Sequence, residues 1–192
     1  MNPHSRSSHR LPAHAPALLR PALIVVAALA FGLAVDASAS AAAKPVCSGG
    51  EYRGFDFWIG DWDTFDLEQP DSKASIARNH VDPILDGCVL REDYDQADGH
   101  HGQSFTIYDA ARKVWHQSWV TNRGELLVLE GSRRGKRITL EGDNVTTKGG
   151  RQRMRVFWEP QGADVRETAT VSDDGGKTWR PLFDIVFRKH AT

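Results

Sequence analysis

The sequence predicts an all-β domain: a closed antiparallel up-and-down barrel of about ten strands, entered through a short helical turn. Three observations predict it. Short runs that alternate apolar and polar residues recur from Trp62 to Arg188. Turn residues separate these runs at hairpin spacing. Helical periodicity is nearly absent from the same stretch. Ten short strands laid flat would leave two open edges, and closure removes them. A two-sheet sandwich is the competing arrangement. A barrel of this strand number has room for a ligand.

The elements follow in order. Arg6, Arg10 and Arg20 precede an apolar run that starts at Ala22 and reaches Val35, and small residues from Ala37 to Ala43 follow it. A basic lead, a short apolar core and an A-x-A site make a secretory signal peptide over residues 1–39, with cleavage as late as 43 also fitting. The run is short for a membrane span, so no stable membrane anchor is expected. The expected location is periplasmic or secreted. Residues 40–54 form a lead segment and 55–190 the barrel domain. Losing Arg6, Arg10, Arg20 and Asp36 takes the formal charge from -1 to -3, and all six Trp remain. That balance argues against nucleic acid as a partner.

Phe55-Asp56-Phe57-Trp58 reads as one helical turn before Gly60. The strand candidates are Trp62 to Leu67, Ser75 to Ile84, Cys88 to Asp95, Ser104 to Tyr108 and Val114 to Thr121. Leu126 to Ser132, Arg137 to Glu141, Arg151 to Glu159, Val165 to Val171 and Trp179 to Arg188 complete them. Asp86-Gly87, Asp98-Gly99, Arg123-Gly124, Arg134-Gly135 and Gln161-Gly162 are among the turns between them.

Alternation assigns the faces. Leu90, Glu92 and Tyr94 share one, as do Trp115, Gln117 and Trp119. Met154, Val156 and Trp158 share another, and so do Val165, Glu167, Ala169 and Val171. Glu92, Gln117 and Glu167 are therefore polar groups on apolar faces. Two readings stand for the carboxyls: an acid/base pair, or structural groups that meet an Arg or line a wet cavity. Gln117 either orients a ligand or satisfies a backbone group. Trp62, Trp115, Trp119 and Trp158 are either core mass or the wall of a cavity for a flat apolar ligand.

An exported chain meets oxidising conditions, so Cys47 and Cys88 are expected to pair, the alternative being two free thiols. The five His of the mature chain show no H-x-H or H-E-x-x-H spacing, and no metal site is expected. His100-His101 reads as an exposed loop, and Arg133, Arg134, Lys136 and Arg137 as a solvated hairpin tip.

Two resemblances add to this. Ser172-Asp173-Asp174-Gly175-Gly176-Lys177-Thr178-Trp179 resembles the Asp-box of sialidases and other propeller proteins. It occurs once here and implies a structural turn. The opening Phe55 to Asp63 resembles the F-D-F-W-x-G-x-W start of a family of exported bacterial proteins without an established function. The likeness continues through Asp86 to Glu92, Gly102 to Asp109, Trp115 to Val120, Ser172 to Trp179 and Phe183 to Arg188. That family is similar to the calycin barrels, which include lipocalins, fatty-acid-binding proteins and nitrobindin-like haem proteins. The resemblance implies that Gly60-Asp61-Trp62 stands where a lipocalin G-x-W motif stands, with Arg188 as the cation over Trp62. His190 is its one candidate for a haem ligand and lies in the tail, so no cofactor is expected.

The expected function is a small-molecule-binding barrel for an apolar or aromatic ligand. Its ligand-binding residues would be Trp62, Glu92, Trp115, Gln117, Trp119, Trp158 and Glu167. The alternatives are a barrel hydrolase or isomerase with an interior Glu as base, and a solid-core interaction protein.

Overall fold

The structure is a computed structural model that describes residues 46–146 and 149–191. The expected signal peptide lies outside these residues. The chain folds as ten strands: β1 (Gly60–Asp66), β2 (Ala77–Ile84), β3 (Val89–Gln96), β4 (His101–Asp109) and β5 (Val114–Thr121), then β6 (Leu126–Arg134), β7 (Arg137–Val145), β8 (Arg151–Gln161), β9 (Asp164–Ser172) and β10 (Arg180–Lys189). Short 3-10 turns at Gly50–Arg53, Asp56–Trp58 and Leu85–Gly87 are the other regular elements among the described residues.

Each strand pairs antiparallel with its neighbours in sequence, and β1 also pairs with β10, which closes the barrel. Trp62 stands opposite Lys189 and Asp66 opposite Ile185 across that seam. The arrangement is the closed up-and-down barrel, not the sandwich. Closure leaves no long unpaired edge.

Inward parity builds two different halves of the interior. At one end Phe55 and Trp58, carried by the Asp56–Trp58 turn, enter between the strands and are almost fully buried. The Phe55 ring centroid lies 5.3 Å from that of Trp115 and 5.4 Å from that of Trp158. Trp58 packs on Trp158 and Phe187. The Trp62 indole N–H donates to the Trp58 carbonyl at 2.9 Å. This aromatic plug makes one end of the barrel solid. Buried rings at such spacings contribute beyond their area.

Gly60 explains the G-x-W spacing. Its φ of +147° and its bare Cα leave room for the Lys189 side chain, whose ammonium would stand 2.2 Å from an added Cβ. That ammonium lies 3.6 Å from the Trp62 ring centroid and donates to the Ile59 carbonyl. The cation over Trp62 is thus Lys189, not Arg188. Arg188 sits on the other parity of β10 and lies over Phe65.

Cys47 and Cys88 form a disulfide across 41 residues. It ties the lead segment to the turn before β3. Closing a loop of this length restricts the unfolded chain, by about 3–4 kcal/mol in the chain-entropy account. Arg133 adds a second tie: it pairs with Glu51, 82 residues earlier. The basic hairpin tip is therefore partly engaged. Arg137 likewise pairs with Glu159.

The Asp-box segment is a structural turn. The Asp174 carboxylate accepts from the Lys177 and Thr178 backbone N–H groups and from the Ser172 and Thr178 hydroxyls. These donors hold its pKa well below the usual carboxylate range. The Trp179 indole donates back to Gly176, and Arg155 stacks on its ring at 4.0 Å.

Candidate functional site

The end of the barrel opposite the plug is hollow. It encloses a cavity of about 320 Å³. Leu127, Leu129, Met154, Val156 and Ile185 supply much of its aliphatic wall, from β6, β8 and β10. Tyr94, Trp119, Trp158 and Phe183 supply aromatic surface. Glu92, Gln117 and Glu167 face inward among them, and Gln96 and His100 also line the space.

Trp158 divides the two halves. It packs against Phe55 and Trp58 on the plug side and lines the cavity on the other. Its indole N–H has no hydrogen-bond partner among the described residues. Trp119 owes its position to Gly102, across the strand pair on β4. A Cβ at Gly102 would fall 2.1 Å from the Trp119 ring, so only a bare Cα lets the indole lie there. Tyr94 then meets Trp119 edge-on at 6.0 Å.

A polar belt crosses four adjacent strands beside the cavity. Asn79 Nδ2 on β2 donates to Glu92 Oε1 at 3.1 Å. Ser104 Oγ on β4 donates to Glu92 Oε2 at 2.7 Å. Gln117 Nε2 on β5 donates to Thr106 Oγ1 at 3.1 Å and reaches Ser104 Oγ at 3.3 Å. Each of these side chains is almost fully buried. Gln117 lines the cavity, and its amide bonds side chains of β4, not the backbone group that the structural reading expected.

Glu167 on β9 is different. It stands across the strand pair from Trp158, whose indole N–H draws its pKa down but falls short of hydrogen-bond geometry, and it makes no ion pair among the described residues. Protein surrounds it, although its side chain keeps some accessible surface toward the cavity. Burial pushes its carboxyl well above the ordinary Glu value, and the Glu92 charge pushes the same way. Burial also raises Glu92, to about 7, against the pull of its bonds from Ser104 and Asn79. Among the described residues no Arg meets either carboxyl.

Five of the seven expected site residues come together: Glu92, Gln117, Trp119, Trp158 and Glu167. Trp62 and Trp115 do not join them. Both point inward, but they lie in the plug, where Trp62 meets Trp58 and Trp115 meets Phe55 and Tyr108. Face parity does not state height along the barrel. His100 is a second correction. It is half-buried at the cavity rim, with Nε2 3.5 Å from Glu125 Oε2, while His101 alone is exposed. Sequence reasoning passed over Asn79, Ser104 and Thr106. Their signal was present, since Asn79 alternates with Ala77 and Val81, and Ser104 and Thr106 follow Gly102 on one parity.

His190 bonds Asp63 outside the cavity. No cluster of three or more His, Cys, Asp or Glu among the described residues could hold a metal ion. No protein-family model matches the chain, and no curated protein matches it.

Proposed function

We propose that this chain is a small-molecule-binding barrel whose cavity takes an apolar or aromatic ligand. One observation carries the reading: a cavity of about 320 Å³, closed below by an aromatic plug and walled mainly by apolar side chains, with a few convergent polar groups. A solid-core interaction protein would have no use for that space. The basic and apolar lead over residues 1–39 and the Cys47–Cys88 disulfide support action in the periplasm or outside the cell. The run of motifs from Phe55 to Arg188 supports placing the chain with the exported bacterial family named above, in the calycin manner.

The test is native mass spectrometry on protein recovered from the periplasm, compared with the same sample denatured, followed by titration of Trp fluorescence with the released compound. A discrete mass lost on denaturation is expected, with Trp119 and Trp158 reporting its return. Gln117→Leu should change which compounds bind. A Leu129→Trp variant that fills the cavity yet binds the same compound with the same affinity overturns the proposal.

A second reading, a hydrolase or isomerase, is favoured by one fact. Glu92 and Glu167 face the same cavity with both proton affinities raised by burial, as carboxyls that trade protons near neutrality require. Loss of rate in Glu92→Gln or Glu167→Gln with the fold kept would support it, and unchanged rates in both would remove it.

A further inference from the structure

The cavity is unbalanced in charge. Two carboxyl groups, Glu92 and Glu167, face it from β3 and β9, and no Lys or Arg among the described residues lines it. His100 at the rim is its one basic side chain. Glu92 is held only by neutral donors, Asn79 and Ser104. Glu167 has only one neutral donor near it, the Trp158 indole N–H, which falls short of hydrogen-bond geometry, and no ion pair among the described residues, although protein encloses it. A buried carboxyl without a countercharge costs stability. A fold with no use for the pair would gain by replacing both with apolar residues of similar volume.

The remaining surface narrows what could supply the countercharge. Tyr94, Trp119 and Trp158 bring three aromatic rings to the wall, and ring faces attract cations. Leu127, Met154 and Ile185 offer only dispersion and burial. The complement of such a space is a cation with an apolar body.

We propose that the cavity binds an organic ammonium compound, a primary or secondary amine on an aromatic or aliphatic body, with its nitrogen between Glu92 and Glu167 and its body against Trp119 and Met154. The proposal rests on the binding reading above and names its ligand class. An inorganic cation leaves the apolar wall unused, and a neutral ligand leaves the carboxyls without a countercharge.

Proton traffic follows from the same geometry. The titratable groups facing the cavity are Tyr94, Glu92, His100 and Glu167. Asp93, next to Glu92, points outward and is held by His101 and Gln103. Burial keeps both inward carboxyls more protonated than free Glu, with Glu92 titrating at about 7. An ammonium favours the ionised form, so its binding displaces a proton to solvent. Protons and ligand compete, and affinity falls as pH drops below about 7.

The experiment is calorimetric titration with three probes of matched size: phenethylamine, phenethyl alcohol and phenylacetate. It is run at neutral pH in two buffers of different ionisation enthalpy. The amine should bind at least about tenfold tighter than the alcohol, with phenylacetate weakest. Only the amine should release protons to the buffer. Glu92→Gln and Glu167→Gln should each bring the amine affinity down toward that of the alcohol. An alcohol that binds as tightly as the amine, or amine binding without proton release, overturns the ammonium inference and leaves the binding reading standing. If none of the three binds, both fall. Proton release is read on the unsubstituted protein, so the test does not depend on the variants folding.

Discussion

At the scale of the residue, Glu92 connects stability to pH. Its carboxyl titrates at about 7 in the folded barrel against an ordinary 4.5, because burial disfavours the charge. Between those values the folded chain holds a proton that the unfolded chain has lost. Stability contributed by this group is therefore greatest at low pH and falls as pH rises from 4.5 through about 7. Glu167 is raised as well, by burial, and adds to the fall. Glu92→Gln keeps an oxygen for Ser104 and Asn79 but removes the ionisation. The variant should be more stable than the parent at alkaline pH, by roughly 3 kcal/mol at most, with a flatter profile below it. Urea midpoints measured from about pH 4 to about pH 9 check this, and a parallel profile in parent and variant would refute it. The Asp174 turn runs the other way. Its carboxylate sits well below its ordinary value, so what it contributes is present at neutral pH and is lost only in strong acid.

At the scale of the element, the aromatic plug is the part that the strands cannot replace. Phe55 and Trp58 come from a single 3-10 turn and fill the end of the barrel that β1, β5, β8 and β10 enclose. Phe55→Ala should destabilise by about 3–5 kcal/mol, since rigid strands collapse poorly around the space left. The emission of Trp58, Trp115 and Trp158 should move to the red as water enters. Unchanged denaturation and emission would mean that the turn is an ornament.

The elements were legible in the sequence because a strand at hairpin spacing carries its own signals, and Gln117, Trp119 and Glu167 all fell on the faces that alternation assigned. Depth was not legible. Trp115 and Trp119 are four residues apart on one face, and one lies in the plug while the other lines the cavity. The plug sets that difference, because Phe55 packs on Trp115, and that contact is a long-range fact. Lys189 standing over Trp62, in place of Arg188, is the same kind of fact: one step of register at the seam decides which cation arrives.

At the scale of the whole molecule, closure depends on one strand pair. Truncation before Arg180 would leave β1 and β9 as free edges flanking an opened cavity. Such edges recruit other chains. The shortened protein should aggregate, seen as a high-mass species in light scattering where the full chain gives one small one. A soluble, cooperatively folding truncate would show that the seam is dispensable. The truncation also removes Phe187 from the plug and Lys189 from Trp62, so the two ends of the chain fail together.

That seam has a consequence in time. Synthesis runs from the N-terminus, and β1 is the first strand made while its partner β10 is the last. Until β10 emerges, every growing chain is an open sheet with β1 waiting at one edge, however well the hairpins behind it have formed. The interval of vulnerability is therefore set by the pace of the ribosome and of any passage through a membrane, not by the folding rate of the finished domain. Such a chain gains most from being held unfolded until it is complete.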